Sequence, residues 1–237
     1  MTEHERVSGD FALEPLGEKA LVLRFGDRID EVVNARVHAA AAALIAAAMP
    51  GVTDVVPAYA TIAVHFQPST WIARGNDSPW RQFAHAVRSV VASASIASAT
   101  PQSTVEIAVC YGGEYGPDLE GVARHCGLNE DEVIARHTAT DYRVAMIGFA
   151  PGFPYLFGLD PSLHMPRRDS PRVRVPAGSV AIGGAQTGVY PSELPGGWQL
   201  IGRTPMILFD PTRTAPSLLA AGTRVRFRAI AASEFGA

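Results

Sequence analysis

The chain has 237 residues, of which 47% are hydrophobic, and it carries a net charge of −3 with a pI near 6.2. This composition supports one large domain or two modest ones, and the charge gives no field that would hold a polyphosphate backbone. No apolar run approaches the ~20 residues that cross a bilayer, and residues 1–10 contain no signal-peptide core. We therefore expect a cytoplasmic protein with neither nucleic acid nor a membrane as partner.

The first hundred residues contain the patterns of four strands and two helices. Alternating apolar residues mark the strands, and Asp30 and the pair Ser78-Pro79 are residue types that commonly begin helices. From the second strand onward, the order strand, helix, strand, strand, helix predicts a small α+β domain of the ferredoxin-like, split-βαβ type over residues 1–98. The strands are expected at 11–16, 20–25, 52–58 and 61–66, and the helices follow residues 30 and 78.

The remaining residues read mainly as strands and turns. Residues 93–103 are rich in Ser, Ala and Thr and carry a proline, which is typical of a connector between domains. After one strand, Asp118 and Asn129 are each expected to cap a short helix. From Tyr142 onward, short strands with regular turn signals predict a closed or nearly closed barrel, apart from a short helix at 215–221. The second domain is expected at residues 99–237.

Cysteine, histidine and lysine usage argues against several kinds of site. Cys110 lies in a strand-like run and Cys126 in a helix-like run, so we expect two reduced thiols rather than a disulfide. The seven histidines have no HxH or HExxH spacing and no CxxC occurs, so no protein-bound metal is predicted. Lys19, the single lysine, lies outside any Walker A or Ser-Ser-Lys motif.

The stretch from Gly148 to Asp210 has the composition of a rigid pocket wall. Glycine and proline are too dense there for an amphipathic helix, and aromatic residues recur between them. Arginine presents a fixed fork of donors that suits the oxygens of carboxylates and phosphates, so an anionic substrate is expected. Within the arginine-rich part, Arg172 and Arg174 alternate with valines and predict the solvent face of a strand, whereas Arg167 lies in a proline context.

Three blocks of this stretch carry a family resemblance. GFAPGFPYLFGL, VPAGSVAIGGAQTGVYP and PGGWQLIGRTP resemble the family that contains the B-type component of 5-oxoprolinase (PxpB), the KipI-type kinase inhibitor and the proteins labelled allophanate hydrolase subunit 1, which has a carboxyltransferase domain of the C/D type. Upstream, PLGEKALVLRFGD, GVTDVVPAY and YGGEYGPDLEGVA are also similar to that family, so the resemblance spans most of the chain. Two positions depart from its usual pattern, with Phe157 in place of a common Gly and Gly184 in place of a common Ala.

The resemblance implies a fold and a set of partners. The fold would be an N-terminal α+β domain followed by a mainly-β, cyclophilin-like barrel. The activity would be that of one component in an ATP-dependent complex that opens 5-oxo-L-proline to L-glutamate, a component inactive alone. Its partners would be a C-type, KipA-like barrel protein and an A-type, LamB/YcsF-like protein. ATP would be a co-substrate, accompanied by Mg²⁺.

Opening a lactam requires donors at the carboxylate, at the transferred phosphoryl group and at the developing charge. Residue type and loop context suggest a set of candidates for these roles. His137 could instead be a histidine that satisfies a helix C-terminus, and the glycines could simply form barrel turns. The catalytic candidates are Arg167, Arg203, Tyr190 and His137. The candidates for binding substrate or ATP are Gln186, Thr187, Gly183, Gly184, Tyr155 and Arg168.

Two other functions remain open on the sequence. A KipI-like inhibitor of a sensor histidine kinase would use the aromatic, proline-rich surface for docking and perform no chemistry. A component of an allophanate- or urea-type amide-processing complex would contain the same sequence motifs. An autonomous allophanate hydrolase is not expected, because Ser179 lies in AGSVA rather than in a GxSxG elbow.

Overall fold

A computed structural model describes residues 11–71, 78–93 and 104–236. The chain divides into two compact units, Met1–Pro101 and Gln102–Ala237. The predicted boundary between residues 98 and 99, and most of the predicted connector, lie outside the described residues, so both stay predictions. In the described part, no helix is long and apolar enough to span a bilayer.

The first unit is a four-stranded antiparallel sheet with two helices. The sheet order is β1-β2-β4-β3, and β2 and β3 both pair antiparallel with β4. These two strands therefore run parallel, with α1 connecting them. The ferredoxin-like assignment stays a prediction, because residues 94–103 after α2 are not described. The elements are β1 (Ala12–Pro15), β2 (Ala20–Arg24), α1 (Glu31–Ala46), β3 (Val52–Pro57), β4 (Thr61–Phe66) and α2 (Pro79–Ala92).

The predicted helix starts of this unit are confirmed. The Asp30 carboxylate accepts the Val33 N–H at 2.9 Å, and the Ser78 hydroxyl accepts the Arg81 N–H at 3.3 Å. Each contact satisfies one of the donors that a helix N-terminus leaves without an intrahelical partner. The capping residues therefore fix where both helices begin.

The second unit is a closed barrel of seven strands, which confirms the predicted closure. Its strands follow the order β10-β7-β6-β13-β5-β12-β9 around the barrel, and β8 and β11 form a separate two-stranded ribbon. The elements are β5 (Thr104–Tyr111), α3 (Leu119–Cys126), α4 (Glu130–Ala139), β6 (Tyr142–Ile147), β7 (Pro154–Phe157), β8 (Arg172–Val175), β9 (Ser179–Gly183), β10 (Gln186–Val189), β11 (Leu194–Gly196), β12 (Gln199–Arg203) and β13 (Arg224–Ala229).

One local prediction for this unit is wrong, and another holds only in part. No helix forms at 215–221, because that backbone pairs with the preceding segment: Asp210 N–H donates to Pro216 O and Leu218 N–H donates to Leu208 O, both at 2.8 Å. Asp118 stands at the start of α3, but its side chain makes no capping hydrogen bond. Asn129 does form the expected capping box with Glu132.

The barrel wall has a distinct cluster on each side. Inside, residues such as Ile182 and Leu156 belong to the large core of the unit. Side chains alternate between the two faces of a strand, and Ala181 and Tyr155 pack instead with the second cluster. That second cluster also contains Phe153, Val175, Tyr190, Trp198 and Leu200. The outer face of the wall is thus a second apolar surface, which the aromatic residues cover.

Trp198 lies directly on Gly183 of β9. A Cβ built at Gly183 would come within 2.6 Å of three indole atoms of Trp198. Real Cβ atoms do not approach other atoms so closely, so only glycine allows this contact. Gly183 therefore sets how deeply the indole sits on the barrel wall.

We expect Gly183→Ala to lower the free energy of unfolding by about 1–3 kcal/mol, because the new methyl group must displace the indole. Chemical denaturation followed by circular dichroism measures this. The matched control is Gly121→Ala, since Gly121 lies in α3 with no atom within 4 Å of a built Cβ. That change should stabilise the protein by about 0.5–1 kcal/mol. Equal effects at the two positions would contradict the packing argument.

Candidate functional site

A cavity of about 190 Å³ opens on the outer face of the barrel wall. Its lining is aromatic and cationic and contains no carboxylate. The lining residues are Phe149, Phe153, Tyr155, Arg167, Arg168, Pro171, Tyr190, Pro195, Gly196, Gly197 and Trp198. Four of the residues predicted from the sequence therefore meet at this cavity: Arg167, Arg168, Tyr155 and Tyr190.

The aromatic rings of the cavity pack against one another at edge-on angles. Phe153 is central: its ring centroid lies 5.7 Å from that of Trp198 and 5.1 Å from that of Tyr190, with interplanar angles of 84° and 86°. Tyr155 also lies edge-on to Trp198, at 5.8 Å. Such perpendicular contacts are favourable and restrict the rings. The cavity is therefore preformed rather than soft.

Arg167 supplies an uncompensated positive charge at the cavity. Its guanidinium carbon lies 5.9 Å from the centroid of the Trp198 ring, a cation–π distance. Within the described part of the chain, no carboxylate forms an ion pair with Arg167. The guanidinium is held by an aromatic face, and its hydrogen-bond donors stay available to an anion.

Asp118 holds the second cavity arginine in place. Its Oδ1 accepts from Arg168 Nη1 at 3.2 Å, and its two oxygens accept from Arg172 at 2.8 and 2.9 Å. Its Oδ2 also accepts the Leu200 backbone N–H at 2.7 Å. The carboxylate side chain is only 11% exposed. One buried carboxylate therefore connects two arginines with β12.

Arg172 and Arg174 were both predicted on the solvent face of a strand, and the structure contradicts the first prediction and agrees with the second. Arg172 was expected on a solvated face, but its side chain is 24% exposed and bonded to Asp118. The strand alternation fails because the paired carboxylate draws Arg172 inward. Arg174 does lie on the solvent side, 80% exposed, with Glu193 at 3.7 Å.

The charges around the cavity do not cancel. Among the described ion pairs, Arg168 and Arg172 share the carboxylate of Asp118, and Arg167 has no carboxylate partner. The backbone N–H of Arg168 donates to Gly197 O at 2.7 Å, while its buried Nε–H has no partner in the structure. An unpaired buried donor is costly. The site thus has both the surplus charge and a free donor that an anion requires.

The two cavity tyrosines are hydrogen-bond donors at neutral pH. Burial raises the pKa of Tyr190, partly offset by a hydrogen bond from the Trp198 backbone. Burial also raises the pKa of Tyr155, partly offset by the positive charge of Arg167. Both phenols therefore stay protonated and act as neutral polar groups beside the arginines.

His137 and Thr187 lie on the opposite, inner side of the barrel wall. Thr187 Oγ1 donates to Ala181 O at 3.0 Å, so it must accept from His137 Nε2–H, also at 3.0 Å. His137 Nδ1 then accepts from the Tyr111 hydroxyl at 2.8 Å. Burial of the fully enclosed imidazole lowers its pKa to about 3. His137 is a neutral member of a satisfied interior network.

The other predicted residues are dispersed. Gln186 is buried on β10 and does not line the cavity, and Gly183 lies beneath Trp198. Gly184 is exposed, with a positive φ of 65° and open space around it. Arg203 donates from Nε to Ala177 O at 2.8 Å and lies over the Phe235 ring, away from the cavity lining. No group of three or more potential metal ligands occurs among the described residues.

Sequence reasoning missed the importance of Asp118 and of Phe149 at this site. Asp118 precedes a helical pattern, so its residue type indicated a helix cap. Nothing in the local sequence identified Arg168 and Arg172, 50 and 54 residues away, as its partners. Phe149 was one of several aromatic residues in a turn-rich stretch. The density of glycine around it was a usable signal, because that composition indicates unusual backbone angles.

The chain matches the family described as carboxyltransferase domain, subdomain C and D, over residues 11–219. It therefore belongs to this family, and the resemblance carried by the motifs is confirmed. The B-type component of 5-oxoprolinase from Bacillus subtilis (strain 168) is 44% identical to this chain over 230 residues, which cover 96% of each sequence.

Two solved structures extend the comparison. TTHA0988 superimposes with a TM-score of 0.78 at 39% identity and covers 90% of this chain but 40% of its own. The urea carboxylase of Kluyveromyces lactis gives a TM-score of 0.70 at 15% identity and covers 95% of this chain but 22% of its own. The second likeness shows a shared fold alone. In both cases the fold of this chain forms one part of a longer polypeptide.

We expect Asp118→Asn to lower the free energy of unfolding by about 1–3 kcal/mol, because it leaves two partly buried guanidinium groups without a counter-charge. The control is Asp141→Asn, whose partner Arg226 is 57% exposed. Removing that exposed pair should cost less than about 1 kcal/mol. Denaturant titrations of both variants test this, and a neutral result for Asp118→Asn would contradict the proposed anchor.

The histidine network predicts a pH dependence. The pKa of His137 is lowered to about 3 in the folded state, so between that pH and about 6.5 the unfolded chain binds a proton that the folded chain does not. The contribution of His137 to the free energy of unfolding is fully present above about pH 6.5 and is lost as the pH falls toward about 3.

His137→Gln, which retains an acceptor and a donor but cannot titrate, should flatten the pH dependence between about pH 6.5 and 5 by up to about 1.4 kcal/mol per pH unit. His125→Gln, at an exposed position of α3, is the matched control for the substitution itself. Thermal or chemical denaturation across this range measures both, and parallel slopes for wild type and His137→Gln would refute the prediction.

Proposed function

We propose that this member of the carboxyltransferase C and D family is the B-type component of an ATP-dependent 5-oxoprolinase. We propose further that the cavity binds the carboxylate and lactam ring of 5-oxo-L-proline. The observation that carries the proposal is a preformed aromatic cavity with two guanidinium groups and no carboxylate in its lining. The Bacillus relative, similar over nearly its whole length, supports the same activity.

The cavity suits a small, flat anion. Arg167 and Arg168 would bind the substrate carboxylate, because guanidinium groups match its two oxygens. Phe153 and Trp198 would enclose the ring, and the protonated hydroxyl groups of Tyr155 or Tyr190 would donate to the lactam oxygen. Developing charge on that oxygen during ring opening would strengthen such a donation.

The cavity is small for a nucleotide. At about 190 Å³, it falls below the ~300–1,000 Å³ of pockets that hold drug-sized ligands. We therefore propose that ATP, with its accompanying Mg²⁺, contacts the partner proteins or a surface that assembly creates. The coverage of only 40% of TTHA0988 supports an arrangement in which this fold works beside further protein.

The lining offers binding groups but no general base. Its ionisable side chains are two arginines and two tyrosines. Burial raises the pKa of both tyrosines. His137, the predicted base, is neutral and enclosed on the other side of the wall. We therefore propose that this cytoplasmic protein is inactive alone and reacts only with a C-type, KipA-like barrel protein and an A-type, LamB/YcsF-like protein.

The remaining predicted residues receive indirect roles in this proposal. His137 and Thr187 would stiffen the wall from the inside, and Gly183 would seat Trp198. Arg203, Gly184 and Gln186 do not line the cavity, so any contact of theirs with ligand would involve groups that the partners contribute.

The proposal is tested by mixing the purified chain with its C-type and A-type partners and following 5-oxoproline and ATP consumption. We expect turnover that needs all three proteins. Absence of turnover, together with suppression of a sensor kinase's autophosphorylation by this chain, would overturn the proposal in favour of a regulatory inhibitor.

Arg167→Gln should raise the KM for 5-oxoproline by roughly 10- to 100-fold, because a charge-assisted hydrogen bond contributes about 1.5–3 kcal/mol. Arg174→Gln is the matched control: this arginine lies in the same segment, faces solvent and does not line the cavity. Its KM should stay within about twofold of wild type. Steady-state kinetics of the assembled complex measure both, and similar KM values for the two variants would remove Arg167 from the site.

A further inference from the structure

The backbone at Phe149 has an unusual conformation. Its φ is +68°, and the N–H of Ala150 donates to Gly148 O at 2.8 Å, which closes a three-residue turn around it. Turns of this γ type with a positive central φ are rare and strained. Bulky side chains rarely adopt such a φ. Among the described residues, Ala48 is the other non-glycine residue with a positive φ.

The surrounding turn keeps Phe149 in this conformation. Gly148 N–H donates to Phe153 O at 3.1 Å, and Phe153 N–H donates back to Ala150 O at 3.0 Å. Gly152 has a φ of +78° and lies against Phe209. The loop is therefore closed by its own hydrogen bonds, and the unfavourable angle falls on Phe149, the exposed one of its two aromatic residues.

The strain does not serve to bury the ring in the core. Phe149 is 60% exposed, and it is the one aromatic side chain among the exposed large hydrophobic residues of the described chain. Its ring touches only the edge of the cavity cluster, with centroids 5.4 Å from Phe153 and 6.4 Å from Tyr190. The strained turn therefore presents an aromatic face at the cavity.

We propose that Phe149 is a specificity-determining residue whose ring closes over the flat lactam ring of the bound substrate. This inference rests on the proposed function and extends it to a residue that neither the charge pattern nor the motifs assigned. The arginines recognise the carboxylate, which open-chain amino acids also carry, whereas an aromatic face favours a planar ring. Strained residues that persist in folded proteins cluster at ligand-binding positions, as Phe149 does.

Three variants separate the ring from the backbone strain. Phe149→Gly removes both, since glycine adopts positive φ without steric strain. Phe149→Leu keeps apolar bulk and strain but removes the flat face. Ala48→Gly relieves the other positive φ of the described chain in a different unit and serves as the matched control.

In the assembled complex, Phe149→Gly should raise the KM for 5-oxoproline about tenfold, and Phe149→Leu should raise it about threefold, as expected for loss of an aromatic contact. The melting temperature of Phe149→Gly should not fall below that of wild type, because relief of strain offsets the lost edge contacts. Ala48→Gly should leave KM unchanged. Affinity for the C-type partner is measured in parallel and should be the same for all four proteins.

An unchanged KM in Phe149→Gly would overturn the inference while leaving the proposed function standing. Weaker assembly with an unchanged KM would also overturn it, because the ring would then contact the partner instead of the substrate. A wild-type complex that does not turn over 5-oxoproline would remove the proposed function, and this inference with it.

Discussion

The carboxylate of Asp118 is the interaction on which the site depends. It binds Arg168 from the loop before β8, Arg172 from β8 itself and the backbone of Leu200 on β12. Arg168 and Arg172 lie close together in sequence, but they are 50 and 54 residues from Asp118, and Leu200 is 82 residues from it. Removing one partner of a largely buried pair is costly, so this group, together with the buried Val175 of β8, holds the β8–β11 ribbon against the barrel.

The barrel wall then separates two environments of different chemistry. Inside, His137 and Thr187 form a neutral network in which each donor finds an acceptor, and the surroundings are apolar. Outside, aromatic rings and unbalanced guanidinium groups line a small cavity. Because successive side chains of a strand point to opposite faces, Thr187 points into the barrel and the residues on either side of it in β10 face outward. The groups proposed to bind substrate and the network that supports the wall therefore lie on opposite sides of the barrel wall.

Much of this arrangement follows from local sequence. The helix caps at Asp30, Ser78 and Asn129 and the barrel character of the second half were predictable, because each depends on neighbouring residues or on a repeated pattern. Arg167 and Tyr190 were identified as candidates because their residue types suit an anionic substrate. The failures were long-range: the partners of Asp118 and the enclosure of His137 depend on contacts that no local pattern encodes. The apparent helix at 215–221 failed for the same reason, since its backbone pairs with residues 208–210.

The central claim is that arginines fixed on the outer barrel wall hold the substrate carboxylate while aromatic side chains hold its ring. A crystal structure of the assembled complex with 5-oxo-L-proline bound tests it most directly. The account predicts carboxylate density within hydrogen-bonding distance of Arg167 and Arg168, with the lactam ring against Phe149. Ligand density beside Arg203, or on the inner side of the wall near His137, would contradict it.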